Sequence, residues 1–177
     1  MKKSLILFLM MSLAVFAYDV TAVNVKFTAF KTPAKKGVSG GFDSVEILEK
    51  KPSKSIEEML NGLSVTISTK SVNSGNDARD KKLVESFFNV QANPVITAKI
   101  IKVETGSLLA EISMNNKTVQ VPMAYETRED TVSAKGYIDL GDFDMLPSLA
   151  SINKACYEMH EGKTWQDVEI SFVLAFQ

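Results

Sequence analysis

The chain has 177 residues, with 20 Lys and Arg against 21 Asp and Glu, for a formal net charge of −1. That length suits one domain, and the balanced charge excludes a dedicated nucleic-acid binder, which would carry a basic face. A composition that is 45% apolar, with one Cys and one His, is globular, has no internal disulfide and offers little material for a metal cage.

The N-terminus reads as an address. Lys2 and Lys3 precede an apolar run from Leu5 to Phe16, broken only by Ser12, and Val15-Phe16-Ala17 forms a small-x-small cleavage site. This is the layout of a secretory signal peptide over 1–17, leaving a mature domain over 18–177. The run is shorter than the ~20 residues of a spanning helix, although an uncleaved anchor is the alternative for the same segment. No Cys follows it, so a lipoprotein anchor is not available. The expectation is an exported chain with no stable membrane anchor after cleavage. Its stability must then come from a hydrophobic core, which a chain of this length can build.

From there the pattern is period two, the signature of half-buried strands. Val23, Val25, Phe27 and Ala29 alternate with Asn24, Lys26 and Thr28. Lys35-Lys36-Gly37 turns the chain into Val38 to Phe42, where Gly40-Gly41 predicts a bulge or sharp bend. Glu49 to Lys54 reads as a solvated loop. Ser55 with Glu58 makes a capping box for a helix to Asn61, which Gly62 ends. Leu63, Val65 and Ile67 form the next strand. A second helix is predicted over Asp77 to Phe88, with Leu83 and Phe87 on one face.

Three more alternating runs follow: Leu108 to Met114, Val119 to Tyr125, and Val132 to Leu140. Glu104-Thr105-Gly106 and Asn115-Asn116 are short enough for hairpins, and Asn tolerates the positive φ they require. Ser148 to His160 is ambiguous between helix and ordered loop. Trp165, at the start of the last run, is expected to plug the barrel base. That run is the clearest, with Val168, Ile170, Phe172, Leu174 and Phe176 on one face. About eight strands with short connections predict an all-β fold: an eight-stranded antiparallel sheet closed into a barrel or folded into a sandwich, with one or two short helices.

Catalytic signals are weak. Cys156 and His160 are spaced to share a helix face, but two ligands make no zinc site. Cys156 reads as a buried structural thiol, with redox sensing as the alternative. Glu126, Glu129 and Asp130 sit in a charged turn with Arg128, where a solvated surface is the plain reading. There is no Gly-x-Ser-x-Gly, phosphate loop or dinucleotide fingerprint. The expectation is no enzyme, no cofactor and no metal. The inward sets are apolar, and Ala98, Ala110, Ala134, Gly40 and Gly136 are small enough to leave space. Taken alone, the pattern also fits a filled core.

One segment is more specific. Ser71-Val72, the Asn73 to Asn76 turn, Arg79-Asp80, Phe87-Phe88 and Pro94 with Ile96 follow in fixed order. With Gly37 to Asp43 and Gly162-Lys163-Thr164-Trp165, they make the chain resemble the YceI-like family. The resemblance covers most of 18–177 and is tightest over 71–96. It implies an extended lipocalin-like barrel, exported to the periplasm, that holds a long-chain amphipathic lipid, polyisoprenoid or fatty-chain, inside. Some members pair as dimers, so a homodimer is possible.

The predicted function is therefore non-catalytic binding or transport of such a lipid. The alternative is a filled-core barrel that acts as a surface interaction or stress-response module. The residues assigned to the cavity lining are Val25, Phe27, Phe42, Val65, Ile67, Ala98, Ile100, Ile112, Val121, Met123, Ile138, Ile170, Phe172 and Leu174. Head-group candidates are Arg79, Tyr125 and Tyr137, with Lys26 and the Asn73 to Asn76 turn. The plainer reading of Arg79-Asp80 is a helix-start salt bridge or a cap on the turn. Two positions depart from the family pattern: the first strand has no His, and Ala98 stands where many members carry an aromatic.

Overall fold

Alternating sequence runs become ten strands, all paired antiparallel, in a computed structural model that describes residues 17–177. The signal-peptide reading lies outside the described residues except for Ala17. The strands are β1 (Val20–Lys31), β2 (Lys36–Phe42), β3 (Val45–Glu49), β4 (Ser64–Ser68), β5 (Val72–Asn73), β6 (Val95–Glu104), β7 (Ser107–Met114), β8 (Lys117–Arg128), β9 (Thr131–Asp139) and β10 (Thr164–Phe176). Their order in the sheet is β3-β4-β6-β7-β8-β9-β10-β1-β2-β5.

The count corrects the expected eight, for a local reason. β2 and β3 are two halves of one path bent at Asp43–Ser44, and β4 and β5 are two halves of another, split by a 3-10 turn at Thr69–Ser71. Val45 of β3 lies opposite Ile67 of β4, and Phe42 of β2 lies opposite Val72 of β5. Across the bend, Ser68 N donates to the Ser44 carbonyl (3.2 Å) and Asp43 N to the Ser71 carbonyl (2.9 Å). The two bent paths therefore stay paired around the corner. Counted as paths, the barrel has eight.

Gly40-Gly41 does not make the predicted bulge. β2 runs in unbroken register against β1, with Gly40 opposite Phe27 and Gly41 opposite Lys26. The glycines permit close approach instead. A Cβ on Gly40 would sit 2.7 Å from Phe27 Cζ, and one on Gly41 2.9 Å from the Val25 carbonyl oxygen. The bend comes just after them. The hairpins behave as predicted: Asn115 and Asn116 both adopt positive φ (53° and 62°), as a two-residue turn between β7 and β8 requires.

The two ends of the barrel differ. At one end α1 (Ile56–Leu60) acts as a stopper, with Met59 and Leu60 buried. Ser55 caps it by accepting from Glu58 N (3.2 Å), while the Glu58 carboxylate accepts from Lys54 N (3.3 Å). Tyr18 bridges to Ser53 through both backbone groups, and its ring meets Phe176 edge-on at 5.4 Å. Val20, Val132 and Leu174 fill the layer beneath. The opposite end carries α2 (Asp77–Ser86), α3 (Leu146–Ala155) and α4 (Tyr157–His160). Among the described residues, four helices stand where one or two were predicted. The extra pair occupies the ambiguous 148–160 stretch, where Met145 offers no side-chain cap, so the start carried no polar signal.

Leu174 is 0% exposed at the stoppered end. Leu174→Ala is expected to lower unfolding free energy by about 2–5 kcal/mol in urea titrations followed by circular dichroism.

Candidate binding site

The strand paths leave a cavity of about 610 Å³, reaching from the stoppered end to the helical end. This is within the range of ligand pockets, roughly 300–1,000 Å³. Its wall is the inward face of nearly every strand. Of the fourteen residues assigned to the lining, twelve border it: Val25, Phe27, Phe42, Val65, Ile67, Ala98, Ile100, Ile112, Met123, Ile138, Ile170 and Phe172. Val121 and Leu174 point inward but lie in packed core. Leu174 is in the layer beneath the stopper, and Val121 is on β8, against which the 3-10 turn Leu140–Phe143 packs.

Burial separates the two regions. Ile170 and Phe172 are only partly buried, whereas Leu174 and Phe176 on the same face of β10 are fully buried. An inward apolar side chain that stays half exposed borders a void, not a neighbour.

The motif segment 71–96 builds one side of the mouth. Asn76 caps α2, its Oδ1 accepting from Arg79 N (2.9 Å), and Asn73 Oδ1 accepts from Gly75 N (2.9 Å). Arg79 donates from Nε to Ser74 Oγ and from Nη2 to the Ser74 carbonyl, both at 2.7 Å. Asp80 accepts from Ser74 N (2.9 Å) and from Ser74 Oγ. Arg79 and Asp80 thus clamp one serine from two sides, a cap on the turn. At the other end of α2, Phe87 meets Phe88 at 5.1 Å, Phe88 meets Phe42 at 6.1 Å, and Phe42 meets Phe27 at 5.6 Å. This aromatic chain seats the helix on β1 and β2.

The other head-group candidates lie elsewhere. Tyr125 is near the stopper, where burial, and then the nearby Glu57 carboxylate, raise its pKa. Tyr137 is 59% exposed on the outer face, donating to Glu169 Oε2 at 2.8 Å. Glu169 also pairs with Lys135 (2.9 Å). Lys26 touches the cavity's edge, but it is exposed and alternates outward with Val25 and Phe27. Trp165 does not plug the base. It stands at the helical end, donating to the Thr32 carbonyl (2.8 Å), with Lys163 and Lys35 at 4.5 and 5.2 Å from its ring. It pins the β1–β2 turn.

The side chains at the mouth include several that sequence reasoning passed over. Lys31 is the last inward position of β1, in step with Val25, Phe27 and Ala29, and it lies opposite Thr164. Lys82 follows Arg79 by three on the same face of α2, and its ammonium reaches the Ala155 carbonyl at 3.3 Å. His160 Nδ1 lies 2.7 Å from Thr164 Oγ1, which donates to Asn153 Oδ1 (2.8 Å). All three line the cavity, and no Asp or Glu does. Extending the β1 alternation by one step would have found Lys31. Nothing local marks Lys82, and His160 stood out only by its spacing from Cys156 and not as a head-group residue.

Cys156 is buried on the same wall, but His160 turns its Nδ1 to Thr164. Among the described residues, no group of three His, Cys, Asp or Glu side chains could hold a metal. Glu126 and Arg128 pair at 2.9 Å at the exposed end of β8.

A family model described as the YceI-like domain matches residues 16–176. The chain belongs to the YceI-like family. No curated protein matches it. Among solved structures, a polyisoprenoid binding domain from Saccharophagus degradans is 14% identical with a TM-score of 0.63, covering 92% of this chain and 98% of its own. BcnA of Burkholderia cenocepacia is 17% identical (TM-score 0.55; 86% and 94% covered). The Campylobacter jejuni YCEI protein is 17% identical (0.55; 80% and 86%). At such identities the likeness is one of fold. In this YceI-like domain, the motif that carries the family resemblance is the apparatus that mounts α2 over the barrel.

Burial, and then the charges of Lys31 and Lys82, hold the pKa of His160 below its ordinary 6.5. Its contribution to stability is therefore complete above pH 6.5 and is lost as the pH falls through the folded-state pKa. NMR titration of the ring is expected to give a midpoint below 6.5, and Lys82→Gln to move it upward.

Proposed function

We propose that this YceI-like domain binds one long-chain amphipathic lipid, polyisoprenoid or fatty-chain, with its tail along the barrel axis. It carries that lipid in the periplasm after removal of residues 1–17, without covalent chemistry. The observation that carries the reading is the apolar cavity of about 610 Å³ closed at one end by α1. At ~30 Å³ per water-sized group, it has room for about twenty such groups. Each buried CH₂ of a tail contributes about 0.8 kcal/mol, so a long apolar chain is the ligand class this volume rewards. The half-buried state of Ile170 and Phe172 argues against a filled core acting only through its surface. Export is supported by the leader-like segment, and the ligand class by the description of the Saccharophagus degradans relative as a polyisoprenoid binding domain.

The test is mass spectrometry of the mature protein, native and after organic extraction, purified from its own periplasm without detergent. A stoichiometric lipid absent from a control protein is expected. A lipid-free mass, together with failure to bind added prenyl and fatty-chain lipids, would overturn the reading. Ala98 leaves space on the wall, so Ala98→Trp is expected to weaken geranylgeraniol binding at least about tenfold, the equivalent of displacing roughly two methylenes. Its far-UV circular dichroism should stay unchanged.

A further inference from the structure

We propose that the lipid held here carries an anionic head group, phosphate or carboxylate, seated between Lys31, Lys82 and His160 at the helical end. This rests on the binding reading above and specifies its polar half.

The argument begins with a charge imbalance. The cavity wall holds no carboxylate, yet Lys31, Arg79 and Lys82 all border it. None of the three has a carboxylate within ion-pair distance among the described residues, whereas on the outer face Lys102 pairs with Glu104 and Lys135 with Glu169. Unpaired cations beside an apolar void are costly to leave so, because the low-dielectric wall strengthens their mutual repulsion. An anion placed among them removes that cost.

The cations are also held in position. Lys31 lies across the β1–β10 ladder from Thr164, whose hydroxyl contacts His160 Nδ1. Thr164 gives its own proton to Asn153, so its oxygen accepts from His160 Nδ1–H, and Nε2 donates to an anion once the ring takes up a second proton, which a bound anion favours. Lys82 is tethered to the Ala155 carbonyl at the end of α3 by a long 3.3 Å contact, which leaves further N–H donors. Arg79 is mostly committed to Ser74 and serves to position α2. The site therefore offers two ammonium groups and one imidazole at the open end of an apolar channel. A neutral hydroxyl head would leave both charges unanswered.

Four probes separate head from tail: geranylgeranyl phosphate against geranylgeraniol, and palmitate against hexadecanol. Kd is measured by calorimetry at low and high salt. Each anion is expected to bind at least about tenfold tighter than its alcohol, as charge-assisted hydrogen bonds allow. The advantage should shrink as salt rises. In Lys31→Gln/Lys82→Gln the ratio of anion to alcohol affinity should fall to about one. Lys31→Arg/Lys82→Arg should retain it, which separates charge from packing. NMR of the His160 ring should register the anions and not the alcohols. If only one anion shows the advantage, the head group is that one. Equal binding of anion and alcohol would overturn the head-group assignment and leave tail binding intact. Failure of all four probes to bind would overturn both.

Discussion

A sheet this long survives in water only if its edges are hidden, and here that depends on the corner where β2/β3 and β4/β5 bend together. The hydrogen bonds from Ser68 to Ser44 and from Asp43 to Ser71 keep the two paths paired through the bend. Without them β3 and β5 would be two open edges inviting association. Closure also fixes the interior. An eight-path barrel has a width just sufficient for side chains to fill or for one small ligand to occupy. Which occurs is decided by what the inward positions carry. Here β6 contributes Ala98 and β7 Ala110 to the lining, and the wall stands back from its axis there, whereas the space over Gly136 of β9 is taken by Met123.

The ends of the barrel then divide the labour. One is made dry by Met59 and Leu60 of α1 with Val20, Leu174 and Phe176, which have almost no exposure. The other is covered by helices rather than sealed by them. α2 has no fully buried residue, yet Leu83 and Phe87 reach the cavity. α3 sends Leu149 and Ile152 to the same space. Phe143 and Met145 anchor the helical end at full burial, so access there lies under α2, which has no fully buried residue.

Period-two alternation was legible wherever one face is core and the other solvent. The inward set of β10 and the Asn115-Asn116 turn are where the sequence placed them. Three things were not legible, each for a physical reason. Gly40-Gly41 fits a bulge as well as a close approach, and only the neighbour Phe27 decides between them. α3 begins at Met145 and Leu146 with no polar cap, so its start carries no local signal. The depth at which a lining residue meets void or neighbour depends on what packs across the barrel. Val121 and Leu174 therefore look identical to Met123 and Phe172 in sequence and differ in the fold.

The segment most recognisable in the sequence is not the part that touches the cavity's contents most. Ser74, Asn76, Arg79 and Asp80 are unusual in combination because they satisfy one another: two side-chain caps and a serine gripped by both a guanidinium and a carboxylate. Such a cluster tolerates few substitutions, since losing one partner strands the rest. The wall tolerates many, because any apolar side chain of suitable size maintains a dry surface. A motif of this kind therefore identifies the frame that holds α2 over the mouth. The identity of what enters is written in positions such as Ala98, Lys31 and Lys82, whose residue types are ordinary and whose meaning comes only from where the frame holds them.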